Sequence, residues 1–352
     1  MAGWRAEGSD ITKRMTKRIG GWARMADVAK LAGVSMMTVS RAYQGNGRVS
    51  DATRARIAEA AATLGYVPNL AAAQLSSQRS RVIAATIPSL SHSQFAITLQ
   101  GLADPFREAG YQLLIADCGY SAEEELRAVS TVLGHRPDGL VAIGVDHCPA
   151  ARDMICNARI PVVETWDLDQ PVMDMAVGFS NRLAACRMTE YLIAGGRRSI
   201  GYIDFPAPVV RRFMERRRGF LDAMGAAGLR SDIVLDAGQG PSGYARGREG
   251  AAHLLECEPD LDAIFCATDA HGVGALLECQ RRGLSVPGRI AVTGIGDFDI
   301  AAEIPPGLTT VRLHAREIGR QAAGLMLRRL EGDTAGDKVL DLGFELVVRG
   351  SA

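Results

Sequence analysis

The segment Met25–Arg41 reads MADVAKLAGVSMMTVSR and decides the fold of the first part of the chain. Val28, Ala29 and Leu31–Ala32 place small and apolar side chains on one face of a predicted short helix. Gly33 follows where that helix must end, because glycine tolerates the left-handed conformation that reverses the chain. The segment therefore begins with one short amphipathic helix and a tight turn.

A second helix is predicted immediately after this turn. The side chain of Ser35 is placed to cap its first turn, Val39 faces inward, and Met36, Met37 and Arg41 face outward. Two helices joined by a short glycine-containing turn are typical of the helix-turn-helix, whose second helix lies in the DNA major groove. An ordinary helical hairpin is the alternative that this segment alone leaves open.

A third helix follows, with Ser50 as its predicted cap and Gly65 as its predicted end. Ile57, Ala61 and Leu64 form its apolar stripe. This order of helices, followed by a linker, resembles the lac/gal repressor family of bacterial transcription regulators, and the resemblance continues to the C-terminus. In this part of the chain, the sequence segments that match the family are Asp27–Ser35, Thr38–Arg41, Val49–Ser50, Leu64–Asn69 and Leu75.

The distribution of charge separates a basic head from an acidic body. Residues 1–80 carry 12 Lys and Arg against 5 Asp and Glu, whereas residues 81–352 carry 28 against 35. This asymmetry fits a nucleic-acid-binding module joined to a different kind of domain. We expect a flexible basic extension over residues 1–22 and a helix-turn-helix domain over 23–66. A hinge linker with a short helix follows over 67–80, and an effector-binding and dimerisation domain over 81–352.

Cysteine and histidine usage argues against a disulfide framework and a metal site. The 7 Cys are scattered without a C-x-x-C pair, and the 6 His show no ligand spacing with them. No signal-peptide-like or membrane-spanning apolar run occurs, so we expect a cytoplasmic protein with no membrane partner. No cofactor is expected either.

From residue 81 onward, strands and helices alternate, which predicts α/β architecture with doubly wound parallel sheets covered on both faces. The length is too great for one such sheet. Two lobes, with crossovers near residues 160–200 and 290–320, would resemble the periplasmic-binding-protein fold found in this family. Small ligands bind at the carboxyl ends of the strands in α/β sheets, so we expect a cleft there.

The family resemblance also implies which residues contact DNA. Two methionines would read thymine methyl groups and groove shape, while Arg41 can form a bidentate pair with guanine. Leu75 matches the linker leucine that wedges open a base step in the minor groove. We expect a homodimer on a near-palindromic operator in double-stranded DNA. The expected DNA contacts are Ser35, Met36, Met37, Thr38, Ser40, Arg41, Asn69 and Leu75.

The body resembles the gluconate-operon repressor branch of the family, in sequence segments such as Pro88–Leu90, Ala176–Phe179 and Leu340–Phe344. Arginine suits a carboxylate because its planar fork pairs both oxygens, so a gluconate-like sugar acid is the expected effector. Arg211, Arg212, Arg217 and Arg218 crowd the helix of the expected effector arginine and leave its register open. The expected effector-binding residues are Ser89, Ser91, Gln94, Phe95, Glu164, Arg216, Thr268 and Asp269.

Two departures from the family pattern lie near this expected site. Where the family often has Gly-Phe-Asp-Asp, the chain has Gly294-Ile-Gly-Asp297, so a sugar-binding aspartate is missing or shifted. Where the family has an aspartate near residue 166, the chain has Trp166 with Asp167 beside it.

Other function classes are less well supported by the sequence. A hydrolase of the nucleophile-elbow type would need G-x-S-x-G, which is missing. Gly294-Ile-Gly296 lacks a third glycine, and Gly238-Gln-Gly240-Pro is interpreted as a turn, so an enzyme is not expected. A solute-binding protein would not carry the head. Release by an inducer, recruitment by a corepressor and a purely sugar-responsive regulator use the same parts, and the gluconate resemblance favours release.

Overall fold

The computed structural model describes residues 23–44, 49–67, 79–90, 93–204, 210–237 and 243–352. The chain divides into two compact units, the first ending at Ser80 and the second covering Arg81–Ala352. No helix in these described ranges is long and apolar enough to cross a membrane.

The described residues of the first unit form three helices, α1 (Met25–Ala32), α2 (Met36–Gln44) and α3 (Asp51–Leu64). Ser50 caps α3 by accepting a hydrogen bond from the backbone N–H of Thr53 at 3.3 Å. Gly33 and Gly65 end α1 and α3 with φ of 63° and 60°, which are the left-handed values that favour glycine. The buried core of this unit is Val28, Ala29, Ala32, Val39, Ile57, Ala60 and Ala61.

One residue of the expected core faces solvent. Leu31 is 53 % exposed, so its placement on the buried face of α1 was wrong. The reason is geometric: with 100° between successive residues, a helix that buries Val28, Ala29 and Ala32 turns residue 31 outward. Leu64 is half-buried at the edge of the core.

The second unit is an α/β body with twelve strands and nine helices in its described residues. Its strands are β1 (Val82–Ile87), β2 (Gln112–Asp117), β3 (Gly139–Ile143), β4 (Val162–Thr165), β5 (Met175–Gly178), β6 (Ile200–Asp204), β7 (Val234–Asp236), β8 (Ala263–Cys266), β9 (Ala291–Gly296), β10 (Thr309–Arg312), β11 (Val339–Asp341) and β12 (Glu345–Val347). Its helices are α4 (Ser93–Glu108), α5 (Ala122–Gly134), α6 (Pro149–Ala158), α7 (Asn181–Ala194), α8 (Arg211–Ala226), α9 (Tyr244–Cys257), α10 (Asp269–Arg281), α11 (Asp299–Glu303) and α12 (Ala315–Leu330).

The strands form two six-stranded sheets, which define an N lobe and a C lobe. The N-lobe sheet has the order β11-β5-β4-β3-β1-β2 and is parallel throughout. The C-lobe sheet has the order β12-β10-β9-β8-β6-β7, and its edge strand β12 is antiparallel to β10. The central strands β3 and β8 are buried along their whole length, because helices cover both faces of a doubly wound sheet.

The chain crosses between the lobes three times. It passes from β5 to α7, from β10 to α12 and from β11 to β12. The sequence indicated the first two crossovers, and the third lies in the short segment between Asp341 and Glu345. The fold class expected from the sequence is confirmed: the first unit contributes N-terminal helices, and the second contributes two parallel-sheet lobes.

Close contacts between helices fix α12 and α8 in their lobes. A Cβ atom at Gly101 of α4 would collide with the backbone of Arg316 on α12, and one at Gly219 of α8 would collide with the backbone of Arg182 on α7. Glycine is required at both positions because the helix backbones touch. The N-terminal part of α8, which contains four of its arginines, is thereby held against the space between the lobes.

Candidate DNA interface and effector cleft

The outer face of α2 exposes apolar side chains of a kind that folded proteins usually bury. Met36 is 57 % exposed and Met37 is 63 % exposed, and Arg41 is exposed beside them. Ser35 accepts a hydrogen bond from the backbone N–H of Thr38 at 3.1 Å, which caps the helix and fixes the direction of its first turn. Both methionines are therefore presented from a rigid helix start.

The remaining expected DNA contacts divide into two groups. Thr38 and Ser40 are half-buried on α2, and the hydroxyl group of Thr38 also lies 2.9 Å from that of Ser35. Asn69 and Leu75 lie outside the described residues. The described part of this surface offers two apolar side chains and one guanidinium, a combination that suits thymine methyl groups and a guanine edge.

A cleft of about 480 Å³ opens in the body between the carboxyl ends of the N-lobe strands and the start of α8. Its N-lobe wall includes residues that follow β1, β2 and β3, and its C-lobe wall is strongly basic. The lining includes Pro88, Cys118, Tyr120, Gly144, Asp146 and His147 on the first wall and Arg211, Arg212 and Arg218 on the second. We call this space the outer cleft.

Arg212 is a buried cation at the inner end of the outer cleft. Its side chain lies over the rings of Phe95 and Phe213, with its guanidinium carbon 5.5 and 5.1 Å from their centroids. The residue is 4 % exposed, and its Nη2 has no hydrogen-bond acceptor in the described part of the chain. Buried polar groups normally have a hydrogen-bond partner, so this open N–H group is unusual, although the same guanidinium also interacts with the hydroxyl group of Tyr120.

Four of the expected effector residues surround a second space, which we call the inner chamber. Gln94 and Phe95 from α4, Arg216 from α8 and Thr268 after β8 line it together with Trp166. The chamber has room for only about one water molecule. The structure thus brings the expected residues together, but around a space that is already filled by protein.

Arg216 itself is engaged within the protein. Its Nε donates to Oδ1 of Asn181 at 2.9 Å, and its Nη1 donates to the carbonyl oxygen of Ala267 at 2.7 Å. Burial lowers the pKa of Arg216 to about 10, which leaves the guanidinium charged at neutral pH. Arg216 therefore joins α8 to α7 and to the end of β8.

Asp269 and Thr268 stabilise the start of α10. Thr268 caps the helix, while Asp269 accepts hydrogen bonds from the hydroxyl group of Thr310 at 2.5 Å and from the backbone N–H of Phe298 at 2.8 Å. Burial raises the pKa of Asp269 to about 7, although these two hydrogen bonds act in the opposite direction. Both of its oxygens are occupied by protein groups.

Glu164 lies in the N lobe and lines neither the outer cleft nor the inner chamber. It is fully buried, accepts a hydrogen bond from the backbone N–H of Met173 at 2.5 Å, and lies 3.5 Å from Nε2 of His147. Burial lowers the pKa of His147, but hydrogen bonds to Glu125 and Glu164 outweigh this effect and raise it to about 9. Ser89 is half-buried after β1, and Ser91 lies outside the described residues.

Sequence reasoning did not name Asp146 and assigned no effector-binding role to Asp167 or Arg212, which it did name. Asp146, which follows β3, accepts a hydrogen bond from the backbone N–H of Arg211 at 2.6 Å, and its Oδ1 has no hydrogen bond among the described residues. Asp167 follows Trp166, and burial raises its pKa to about 7. Its Oδ1 accepts a hydrogen bond from the N–H of Asp169 at 2.9 Å, and its buried Oδ2 has no partner within those residues. Their positions in the sequence could have pointed to them: Asp146 and Asp167 each follow a predicted strand, and Arg212 is at the start of a predicted helix.

The glycine-rich segment before α9, interpreted as a turn from the sequence, contains one more glycine of a nucleotide-binding pattern. Gly238, Gly240 and Gly243 do have the G-x-G-x-x-G spacing, although residues 238–242 lie outside the described ranges. The dinucleotide motif follows a central strand, at the point where the strand order reverses. Here the preceding strand β7 is at the sheet edge, where it pairs with β6. The strand before this segment is therefore not the central strand that a dinucleotide-binding motif follows.

Comparison with known proteins identifies both parts of the chain. The family model described as bacterial regulatory proteins, lacI family, matches residues 24–69, and the periplasmic binding protein-like domain matches residues 189–352. The HTH-type transcriptional regulator GntR of Escherichia coli K12 is 38 % identical over 327 residues, which is 93 % of this chain and 98 % of that protein. The chain belongs to the lacI family of bacterial regulatory proteins.

Solved structures support the same family. A lacI-family transcriptional regulator from Silicibacter pomeroyi aligns with a TM-score of 0.89 and 34 % identity, covering 94 % of this chain and 99 % of that one. The lac repressor dimer bound to operator shares the fold, with a TM-score of 0.80 and 24 % identity over 94 % of this chain and 99 % of that one. This lacI-family protein is accordingly a DNA-binding transcriptional repressor, and its relatives are regulators rather than enzymes.

Proposed function

We propose that this lacI-family repressor is released from its operator by a small sugar acid, such as gluconate, that binds in the outer cleft. The observation that carries the proposal is Arg212, a buried cation whose Nη2 has no acceptor within the described residues and which forms no ion pair there. A carboxylate would supply the missing charge and the missing acceptor together, because it accepts parallel hydrogen bonds from a guanidinium.

The rest of the outer cleft suits the hydroxyl groups of such an acid. Asp146 lines the cleft, and its Oδ1 makes no hydrogen bond within the described residues, although it lies 3.5 Å from Nε of Arg211. The volume of about 480 Å³ is within the range of ligand pockets and holds a six-carbon acid. Tyr120 adds a phenol group to the same wall.

The DNA-binding half of the proposal follows from the exposed face of α2. Met36, Met37 and Arg41 read the major groove, and the proposed contacts of Asn69 and Leu75 extend the surface into the linker. A homodimer places two such faces over a near-palindromic operator. The lac repressor, which shares the fold, binds its operator as a dimer, and the same assembly is proposed for this chain.

Effector and operator then oppose each other through linkage. In this proposal, binding of the acid favours an arrangement of the lobes that holds the heads apart, so it lowers the affinity for the operator. Linkage requires that the operator lowers the affinity for the acid by the same factor. The glycine contacts that fix α8 and α12 make each lobe rigid, so a change at the cleft moves lobes rather than single side chains.

The test begins with selection of operator duplexes from genomic fragments at fixed salt. The selected duplex is then titrated with gluconate, 6-phosphogluconate and glucose. We expect gluconate to release the protein and glucose, which lacks the anionic group, to have no effect. A corepressor would instead raise the affinity, and operator binding that none of these compounds changes would disprove the effector assignment.

Variants on α8 locate the response. Arg212→Ala is expected to abolish release by gluconate without changing operator affinity, because the carboxylate loses its partner. Arg217→Ala is the matched control, since Arg217 is on the same helix with a half-exposed side chain paired to Asp204 at 3.7 Å. Equal gluconate responses in both variants would place the acid elsewhere.

A further inference from the structure

Two exposed arginines of α3 make hydrogen bonds to the ends of α1 and α2. Nη1 of Arg54 donates to the carbonyl oxygen of Ala42, in the last turn of α2, at 3.0 Å. Nη2 of Arg56 donates to the carbonyl oxygen of Ala32, the last residue of α1. We propose that Arg54 and Arg56 are positioning residues, which fix the direction of α2 and so determine how selectively the head reads its operator.

The accepting carbonyl groups are ones that a helix does not satisfy by itself. The last four carbonyl groups of an α-helix have no N–H partner within the helix, and the helix dipole places partial negative charge at that end. Arginine side chains near a helix C-terminus can bond these carbonyl groups and interact favourably with the dipole. One helix, α3, thus supplies a cation to the C-terminal ends of both α1 and α2.

The spacing of the two arginines lets them reach different helices. Residues two positions apart point about 200° apart around a helix, so Arg54 and Arg56 leave α3 on different sides. Arg56 also lies against the turn between α1 and α2, since a Cβ atom at Gly33 would be 3.2 Å from its Nη2. Arg56 therefore holds the turn before α2, whereas Arg54 holds the far end of that helix.

Apolar packing on α2 is sparse, which makes these bonds important for its direction. Among residues 36–43, all of which the structure describes, the side chain of Val39 alone is buried and four of the eight are exposed. The cap from Ser35 acts on the first turn of α2. A helix held by one buried side chain and by a cap at its start can pivot at its other end, and the bond from Arg54 opposes that motion.

Binding to DNA phosphate is the usual role of an exposed arginine in a DNA-binding head, and it leads to a different expectation. A phosphate contact needs a positive charge, which lysine also supplies. The bond to a helix end needs the reach of the guanidinium, because a lysine side chain ends one bond before the Nη atoms. Arg54→Lys and Arg56→Lys therefore keep the charge of the head and remove the bond to the carbonyl group.

This inference rests on the proposed reading of the major groove by α2. The full-length natural chain, Arg54→Lys and Arg56→Lys are titrated with the selected operator and with a duplex of unrelated sequence. The titrations cover a range of salt concentrations, below the unfolding transition of each variant. Lys30→Arg is the matched control, because it exchanges the same two cations at an exposed position in the last turn of α1.

We expect each Arg→Lys variant to bind the operator roughly tenfold more weakly, the loss that one charge-assisted hydrogen bond can cause. Affinity for the unrelated duplex and the salt slope should match those of the natural chain, because no charge has been removed. Lys30→Arg should match the natural chain on both duplexes. Natural operator affinity in either variant, or an equal loss on the two duplexes, would overturn the assignment of that arginine.

A second readout separates this inference from the proposed function. Amide hydrogen exchange of the free full-length proteins is followed in the last turn of α2 and in α3. Arg54→Lys should exchange severalfold faster than the natural chain in that turn and equally in α3, since a local bond has been lost and the fold has not. Exchange equal to that of the natural chain in the last turn of α2 would refute the positioning role.

The two proposals can therefore fail separately. If Met36→Ala combined with Met37→Ala leaves the selected site unchanged, the proposed base reading by the methionines fails. The exchange result still decides whether Arg54 holds the end of α2.

Discussion

The exposed face of α2 and the space between the lobes depart from the usual distribution of side chains in opposite directions. On α2, Met36 and Met37 are exposed although apolar side chains are usually buried. Between the lobes, Arg212, Arg216 and Asp167 are almost completely buried although charged side chains are usually solvated. Each departure costs free energy in the isolated protein, and the proposed function has a different ligand relieve each one.

This contrast supports the ligand proposed for each region. An exposed apolar pair on a rigid helix gains from meeting another apolar surface, such as thymine methyl groups in a groove. A buried cation with an N–H group that has no acceptor gains from an anion that enters a space already shielded from water. Substitutions in each region test the contrast, and the largest effects are expected at the buried arginines.

The two buried arginines of α8 should respond differently to the same substitution. Arg216→Met is expected to lower the free energy of unfolding by about 2 kcal/mol, because Oδ1 of Asn181 and the carbonyl oxygen of Ala267 lose their donor. Arg212→Met keeps an apolar stem over Phe95 and Phe213 and removes a buried N–H group that has no acceptor among the described residues, so stability should stay within about 0.5 kcal/mol or rise. Urea denaturation of the two variants measures the difference.

The effector response should show the reverse order. Arg212→Met is expected to lose the gluconate response while it stays folded, whereas Arg216→Met keeps a response at temperatures below its unfolding transition. Equal loss of stability in both variants would mean that Arg212 has a structural partner, and the proposed anion site would then be wrong.

The methionine pair should affect operator choice without affecting folding. Met36→Ala combined with Met37→Ala is expected to weaken the selected operator by roughly tenfold and to change which base steps are preferred, since thymine methyl contacts are lost. Thermal stability should be unchanged because both side chains are exposed in the free protein. Competition between duplexes at one salt concentration measures the change in preference.

A control for this pair is Val39→Ala on the same helix. Val39 is fully buried, so this variant should lower the stability of the head by about 1–2 kcal/mol and leave the order of preferred duplexes unchanged. An unaltered selected site in the methionine variant would assign base reading to other residues.

The fold was largely predictable because its signals are local. Caps such as Ser50, glycines such as Gly33 and uninterrupted apolar strands such as β3 each follow from a few neighbouring residues. The elements that were not predicted depend on distant partners. Strand β11 has three residues, and it is a strand because it pairs with β5, which is more than 150 positions away in the sequence.

The candidate site was predictable in its location but not in its detail. The resemblance placed Gln94, Phe95, Arg216 and Thr268 together, and the structure does so around the inner chamber. It could not show that Asn181 and Ala267 engage Arg216, because hydrogen-bond partners come from other elements of the fold. The orphaned Nη2 of Arg212 is likewise visible only when every neighbour is in place.

Asp167 gives the buried region a pH dependence. Burial raises the pKa of Asp167 from 3.8 to about 7, so the folded protein binds a proton that the unfolded chain has released. Stability is therefore present below about pH 4 and is lost as pH rises towards 7, when the buried carboxyl ionises. Asp167→Asn should remove this slope and raise stability at pH 8 by about 2 kcal/mol relative to the natural chain.

Denaturation at pH 5, 6, 7 and 8 tests this expectation, with exposed Asp153→Asn as the control. His147, whose pKa is raised to about 9, adds a loss of stability between about pH 6.5 and 9 that Asp167→Asn leaves in place. A variant curve parallel to that of the natural chain at every pH would show that Asp167 is ionised throughout.

Leu31 provides the smallest expected effect and the sharpest limit on the comparison. It is exposed on α1, as the methionines are on α2, but it does not stand on the helix that enters the groove. Leu31→Ala should change both stability and operator affinity by less than about 0.5 kcal/mol, since isolated exposed apolar residues are common on protein surfaces. Val28→Ala, at a buried position of the same helix, should lower stability by about 1–2 kcal/mol. If Leu31→Ala weakens the operator as strongly as the methionine pair does, the apolar DNA surface extends beyond α2, and exposure alone, rather than position on the recognition helix, marks the interface.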